Sequence, residues 1–472
     1  MKEKFHKYKT MTDTIAAVST PYGKGGIAVI RISGDEAIDV AGRVFRPASG
    51  ASLSEIEGGR IVYGSICAPA EGGFGKQIDD GMAAVLRAPR SYTGEDTVEL
   101  SCHGGILLTE QVLSAVIAAG ARPAEAGEFT RRAFVAGKLS LTEAEAVINL
   151  IDARSEEALK LARSHTAGRL TAKLSEFYES LRTLLSTAYV FADYPDEDLT
   201  DLSPDEMIAS LEALQGEMQA LSDTYYVGHA VSEGVSTVIV GRPNTGKSSI
   251  LNRLLCRDRA IVSSIAGTTR DTIEETVQVG RVTLRLTDTA GLRDSDDPIE
   301  QIGVERSLAA LSAAELVLAV FDAASAPTEE DRELLARLAD HAAPKIALLN
   351  KSDLGAVGEI GLPDGLFDAV CSVSAQTGEG MDGLRQVIEG LFVAGEIDYD
   401  STAILANARQ KGALDRAIAG VEAALGALRS GFTPDVAGVD LEEAMAALSE
   451  ADGRAVSADI VDAIFHRFCV GK

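Results

Sequence analysis

Apolar residues recur along this chain at two rhythms, and the places where the rhythm changes divide it. Short apolar runs at 27–32 and 82–86, separated by turns rich in Gly and Pro, mark residues 11–130 as an α+β region. From residue 139 the spacing lengthens. Leu141, Ala144, Ile148, Ile151, then Leu159 and Ala162, then Leu174, Phe177, Leu181 and Leu184 recur at three- and four-residue spacing, which predicts long amphipathic helix. The acidic stretch 193–205, with Asp196, Glu197, Asp198 and Asp201, interrupts it and reads as a solvated loop rather than a metal site. Helical periodicity resumes over 207–221, and again over 403–428, 441–448 and 455–468. Between these helical stretches, strand-like apolar runs occupy 235–240, 282–287 and 346–349.

The pattern predicts a multidomain α/β and α chain. An α+β domain spans 11–129, a first helical part 130–228, a nucleotide domain 229–395 and a second helical part 396–472. One helical domain split by an inserted nucleotide domain accounts for that order, and helices on both sides of the insert would turn nucleotide state into rigid-body motion. The length of 472 residues also exceeds one ordinary core and suggests about three domains.

Chemistry enters at the ends of the strand-like runs. Residues 241–249, Gly-Arg-Pro-Asn-Thr-Gly-Lys-Ser-Ser, fit the phosphate-binding loop G-x-x-x-x-G-K-[ST]. Its glycines, Gly241 and Gly246 among them, let backbone N–H groups turn around a phosphate at a helix N-terminus. Lys247 would reach the terminal phosphates and the Ser248 hydroxyl would ligate Mg²⁺. Asp288-Thr289-Ala290-Gly291 follows the second run, as needed for an Asp near Mg²⁺ and a Gly near the γ-phosphate. Asn350-Lys351-Ser352-Asp353 follows the third, and the Asp353 carboxylate can accept two hydrogen bonds from a guanine edge. Ser374-Ala375-Gln376 would close over the base with backbone N–H groups. Four motifs at strand ends bring their ligands to the carboxyl edge of a parallel sheet. Together they imply a GTP site.

The switch segment is Ser263-Ser264-Ile265-Ala266-Gly267-Thr268-Thr269-Arg270-Asp271, with Thr269 as the expected second Mg²⁺ ligand. Leu292 stands where Ras-like hydrolases place a water-orienting glutamine, and a leucine cannot orient water. A monovalent cation held by Asn244 and carbonyls of the switch loop would neutralise transition-state charge instead. Spacing leaves Glu300 open between a water-positioning group and a surface carboxylate.

Composition sharpens the picture. Net charge is −27, from 44 basic and 71 acidic residues, and such a surface repels phosphate backbones. An RNA-directed role therefore needs a local basic patch or a partner carrying most of the RNA contact. No uninterrupted apolar run reaches membrane-spanning length, so a soluble, cytoplasmic protein without membrane association is expected. Residues 1–10 carry Lys2, Lys4, Lys7 and Lys9 but lead into no signal-peptide core, and they read as a frayed extension or a misplaced start. The five cysteines show no CxxC spacing, as expected of reduced thiols. Cys102 and His103 are adjacent on a predicted strand and should point to opposite faces, against a nucleophile–base pair.

Taken together, Asn-Thr-Gly-Lys-Ser-Ser (Asn244, Thr245, Gly246, Lys247, Ser248, Ser249), Ala-Gly-Thr-Thr-Arg-Asp, Ile-Glu-Gln-Ile-Gly at 299–303 and the terminal Phe468-Cys469-Val470-Gly471-Lys472 resemble the tRNA uridine-modification GTPases of the MnmE (TrmE) family. Gly25 to Gly34, Tyr92-Thr93-Gly94-Glu95-Asp96 and Gly127-Glu128-Phe129-Thr130-Arg131-Arg132-Ala133-Phe134 fit the same family, so the likeness covers 11–472. The resemblance implies a K⁺-activated G domain with Asn244, Ser263, Ile265 and Thr268 at the K⁺ site and Glu300 as the catalytic glutamate. It also implies that the 11–129 domain forms a constitutive homodimer and holds a one-carbon tetrahydrofolate, in its formyl or methylene form, through Arg31, Glu99, Lys138 and Lys472. A carboxylate suits a pterin's donor edge, and cations suit the folate carboxylates. The implied partner is the flavoprotein MnmG (GidA), in a heterotetramer that attaches an aminomethyl or carboxymethylaminomethyl group to C5 of the wobble uridine of certain tRNAs. Cys469 has two readings, a nucleophile toward that chemistry and a packing thiol. The competing reading of the whole chain is a GTP-dependent switch that assists ribosome assembly, which an appended basic RNA-binding domain would favour and this sequence lacks.

Overall fold

A strand buried on both faces needs apolar side chains at every position, and β11 (Leu316–Asp322) shows it. Leu316, Leu318 and Val320 enter one hydrophobic cluster with Ile250, Leu284, Leu348 and Leu384, while Val317, Ala319 and Phe321 enter another with Val238, Leu338 and Ala347. The computed structural model describes residues 13–193, 204–257, 274–287, 311–355, 361–393, 395, 398, 399 and 401–472. Among them, β8 (Val235–Val240), β9 (Glu274–Val279), β10 (Val282–Thr287), β11, β12 (Lys345–Asn350) and β13 (Ala369–Ser372) form one sheet in the order β13-β12-β11-β8-β10-β9. Every neighbouring pair is parallel except β9 and β10, which form an antiparallel pair. The carboxyl ends of β8, β11, β12 and β13 therefore share one edge.

The N-terminal sheet is of the other kind. It contains β1 (Ile15–Val18), β2 (Ile27–Ser33), β3 (Phe45–Pro47), β4 (Arg60–Ala70), β5 (Gly73–Leu86), β6 (Thr97–His103) and β7 (Arg122–Pro123), in the order β3-β4-β5-β6-β2-β1-β7. Only the β1–β7 pair is parallel. Helices α1 (Ala37–Val44) and α2 (Ile106–Ala118) cover one face, burying Ile30, Ile32, Ile66, Val85 and Leu100 against Val40, Val44, Val112 and Val116. Each such side chain contributes about 1.5–3 kcal/mol on leaving water. Part of the other face lies beneath α3 (Glu128–Val135), where Phe129 packs on Ile15 and Ala17.

The helical stretches follow the expected periodicity but are shorter than it suggests. Residues 139–193 form α4 (Leu141–Asp152), α5 (Glu156–Thr166) and α6 (Arg169–Asp193) rather than one long helix. Gly168 ends α5 with φ 76°, a conformation that costs glycine little, and a Cβ there would lie 2.8 Å from Glu143 Oε1. Beyond it come α7 (Pro204–Asp223) and α8 (Tyr225–Ser232), and in the nucleotide region α9 (Lys247–Arg257), α10 (Glu329–Ala339) and α11 (Met381–Phe392). The last helices are α12 (Ala408–Arg429), α13 (Pro434–Ala451) and α14 (Ala458–Phe465). Helix α12 starts later than residue 403 because Asn407 caps it, accepting the Arg409 N–H at 2.8 Å. Residues 404–406 are buried all the same, and the Leu405 N–H donates to Thr224 Oγ1 at 2.9 Å. Ser457 caps α14 in the same manner.

The described residues divide into two compact units. One draws on the described residues among 13–148, 165–185 and 441–472, the other on those among 149–164 and 186–440. No described helix is long and apolar enough to cross a membrane.

Candidate functional site

Residues 241–246 form the loop between β8 and α9. Its geometry depends on Gly246, where φ is 96° and a Cβ would lie 2.2 Å from the Asn350 side-chain nitrogen. Asn244 adopts φ 62°, a left-handed conformation that asparagine tolerates, and is exposed at the loop's rim. Thr245 is fully buried and its Oγ1 donates to the Arg242 carbonyl at 2.9 Å. The Lys247 ammonium donates to that same carbonyl at 2.9 Å, so it curls over the loop. Ser248 and Ser249 follow in the first turn of α9. The Arg242 side chain reaches the other way, to Asp331 (3.1 Å) and Ser325 Oγ (2.5 Å), in the segment that follows β11.

Asn350 ties the loops together. It is 2% exposed at the end of β12. Its amide donates to the Thr245 carbonyl at 2.8 Å and its oxygen accepts the Ala375 N–H at 3.0 Å. Lys351, at φ 66°, extends its ammonium to Asp322 Oδ2 at 2.6 Å. Burial pushes the Asp322 carboxyl up, but that ammonium and the Ala324 N–H outweigh it and hold its pKa below the ordinary value of 3.8. Asp353 is exposed on the single turn Ser352–Leu354. Ser374 is buried, and its N–H donates to the Glu379 carbonyl at 2.9 Å. The N–H groups of Ser374 and Ala375 thus both have partners inside the protein. Ser263, Ser264, Ile265, Ala266, Gly267, Thr268, Thr269, Asp288, Thr289, Ala290, Gly291, Leu292 and Glu300 lie outside the described residues.

A second site lies on the N-terminal sheet, on the face opposite α1 and α2. Arg31 on β2 stands directly across from Glu99 on β6, with Nε 2.9 Å from Oε1. The Arg31 guanidinium sits 5.4 Å from the Tyr92 ring centre and 5.6 Å from that of Phe129, within reach of cation–π attraction. Lys138 donates to the carbonyls of Pro89 (3.1 Å) and Ser91, beside Tyr92. The Phe129 N–H donates to the Lys472 carbonyl at 3.2 Å. Val470 pairs with Ala126, and Ser19 Oγ donates to the Gly471 carbonyl at 3.0 Å. Through Tyr92 and Phe129 the fold thus brings Arg31, Glu99, Lys138 and Lys472 into one neighbourhood. Phe468 is buried on Phe465 with rings 5.4 Å apart, and Cys469 beside it is exposed. An open cavity of about 380 Å³ lies elsewhere in this unit, lined by Thr20, Tyr22, Lys24, Ile106 and Thr109, and none of the four borders it.

Residues 141–469 match the family model described as the MnmE helical domain, and residues 14–138 match the GTP-binding protein TrmE N-terminus. This chain belongs to the MnmE family. It is 44% identical to the tRNA modification GTPase MnmE of Symbiobacterium thermophilum over 98% of this chain and 99% of that one. It is 40% identical to the protein of the same name from Geobacillus kaustophilus, over 98% and 100% of the two chains. Among solved structures, the G domain of the T. maritima FeoB iron transporter is 23% identical over 32% of this chain and 94% of that one, with a TM-score of 0.24.

Some residues of this MnmE-family chain had no functional signal in the sequence. Glu128 is fully buried. Arg122 grips both of its carboxylate oxygens, at 2.8 and 2.5 Å, and Arg132 adds a bond at 3.0 Å. Burial pushes the Glu128 carboxyl up, yet Arg122, the Glu125 N–H and Arg132 together leave it below its ordinary 4.5. Arg132 also reaches Glu95 at 3.1 Å, and Glu95 accepts the Ser33 hydroxyl at 2.7 Å. The run Gly127 to Phe134 marks the place, but nothing in the string says that its charges are interior. The adjacent Cys102 and His103 face apart. Burial pushes the Cys102 thiol up to about 11, while His103 is exposed and paired with Asp79 at 2.9 Å.

Proposed function

We propose that this chain is a K⁺-activated GTPase that works with the flavoprotein MnmG and tRNA to place an aminomethyl or carboxymethylaminomethyl group on C5 of wobble uridine. One observation carries the reading. A phosphate loop clamped by Asn350 and a cationic, aromatic-backed site at Arg31 occur on one chain that matches MnmE relatives from end to end. GTP is the substrate, and Asp353 reads guanine. Ser248 and Thr269 hold Mg²⁺, which shields phosphate charge when bound. The exposed amide of Asn244 fits a cation ligand at the loop's rim, and Ser263, Ile265 and Thr268 complete the K⁺ set. Glu300 positions the attacking water in place of a glutamine at Leu292.

In the N-terminal domain, the Arg31–Glu99 pair fits a one-carbon tetrahydrofolate. Its side chains are only 16% and 30% exposed, yet they lie on the sheet face that α1 and α2 leave uncovered. Glu99 offers acceptors to a pterin, while Arg31, Lys138 and Lys472 offer cations to its carboxylates. The same face leaves Ile27, Ile61, Tyr63 and Met82 more than half exposed, which supports pairing of two such domains in a homodimer. We assign 11–129 to this domain, 229–395 to an inserted G domain, and 130–228 with 396–472 to the helical domain that carries it. The protein acts in the cytoplasm.

The reading is tested in a bacterial strain lacking its own MnmE. Expression of this chain should restore C5-modified wobble uridine, measured by mass spectrometry of tRNA nucleosides. The purified protein should hydrolyse GTP faster in K⁺ than in Na⁺, and Asn244→Ala should lose that preference while still binding nucleotide. Unmodified uridine together with equal rates in the two salts would overturn it.

A further inference from the structure

We propose that Arg131 is a positioning residue whose ion pair with Asp462 helps hold the C-terminal tail against the Arg31–Glu99 site. The proposal rests on reading that site as a folate pocket. Five consecutive residues at the start of α3 each make a different contact. Glu128 gathers Arg122 and Arg132. Phe129 lies beneath Arg31 and bonds Lys472. Thr130 bonds the Tyr92 hydroxyl at 2.9 Å, and Arg132 reaches Glu95. Arg131 is the one that turns toward the tail helix. Its Nη1 stands 3.6 Å from Asp462 Oδ1 on α14, and its Nη2 donates to Glu125 at 2.9 Å.

Helix α14 packs through Val461 and Phe465, with Phe468 after it, on Phe134 and Leu141, and the Arg131–Asp462 pair adds a charged contact to this apolar one. Past the buried Phe468, the tail is held by the Val470–Ala126 pairing, the Ser19 hydroxyl on Gly471 and the Phe129 N–H on Lys472. Chain ends held by a few such bonds fray unless the element that delivers them is itself fixed. With the Arg131 side chain 7% exposed and Asp462 27%, their attraction is far less screened than a surface pair's. The guanidinium therefore links the loop before α3, the α3 backbone that carries Phe129, and the helix from which the tail leaves. Disturbing Asp462 should loosen Lys472 from Phe129, and through Phe129 the backing of Arg31.

The test uses the full chain, 5-formyltetrahydrofolate as the probe, and hydrogen exchange at the Phe129 amide. Asp462→Asn should weaken probe binding by about tenfold, as loss of a shielded charge partner predicts. It should also speed Phe129 exchange and leave GTP turnover unchanged, while Asp462→Glu restores both affinity and protection. Arg131→Met should repeat the Asp462→Asn result, and should it fail to fold, the partly exposed Asp462 still decides the question. Asp462→Asn with parental affinity and parental exchange would overturn the proposal. A parent protein that does not bind the probe would remove the folate reading alone. Phe129 exchange would then decide whether the anchor exists, supporting it if faster in Asp462→Asn and overturning it if unchanged.

Discussion

The phosphate loop draws its groups from one unbroken stretch, residues 241–248, whereas the N-terminal site draws on residues 31, 92, 99, 129, 138 and 472. In the first, helix α9 and the end of β8 fix backbone N–H groups, and a single buried amide, Asn350, ties the loop to its neighbour. In the second, the Tyr92 and Phe129 rings back Arg31 while backbone groups hold Lys138 and Lys472, and next to Phe129 in the chain the buried Glu128 pairs with Arg122 and Arg132. Backbone-built sites survive the loss of one side chain better than sites that adjoin interior charges, because an orphaned buried charge costs more than a lost bond. The two regions should therefore respond differently to mutation.

The largest effect is expected at Glu128. Glu128→Ala takes from Arg122 and Arg132 the buried one of the two carboxylates they share, leaving them Asp13, and should destabilise the N-terminal unit by about 3 kcal/mol, measured by denaturant unfolding. Because its folded pKa lies below the ordinary 4.5, the stabilisation from Glu128 is present above that pH and is lost as pH falls through the folded value. The parent should accordingly unfold more readily in acid, and the variant should show a flatter dependence there. If the variant unfolds with parental midpoint at neutral pH, the contrast between the two regions fails.

Next comes Asn350→Ala. It strands the Thr245 carbonyl and the Ala375 N–H, a loss of about 2 kcal/mol that weakens GTP binding roughly thirtyfold. The unfolding of the N-terminal unit should not change. Glu300→Ala should be milder, slowing turnover by about tenfold with GTP affinity retained, since its proposed role is confined to placing water. A parallel loss of affinity would point to a binding role and remove Glu300 from the chemistry.

The same contrast governs what could be read from the string. The phosphate loop was legible because its spacing is local: Gly241, Gly246, Lys247 and Ser248 must sit where they sit for one turn to work. The runs at 235–240, 282–287 and 346–349 were legible as strands because they are continuous apolar stretches, whereas β11, of the same kind and buried on both faces, was not read from the string. The helical stretch 139–193 was legible as helix but not as three helices, since the Ser155 hydroxyl caps α5 and Gly168 ends it through its backbone angle while the apolar rhythm runs on. Residues 404–406 have the apolar content of a helix and bury as an extended segment, because Thr224 takes the Leu405 N–H. Arg31, Glu99, Lys138 and Lys472 were named from family likeness. Without it they are charges like any others, and the Glu128 network beside Phe129 is visible only once distant residues meet.

We propose that nucleotide hydrolysis and uridine chemistry occupy separable parts of one chain. Deleting residues 469–472 tests that most directly, with GTP turnover of the purified protein and wobble-uridine content of a complemented strain measured side by side. Near-parental turnover with no restored modification is the predicted result. Restored modification by the truncated chain would contradict the claim that the tail serves the chemistry, and lost turnover would contradict the claim that the two sites are separable.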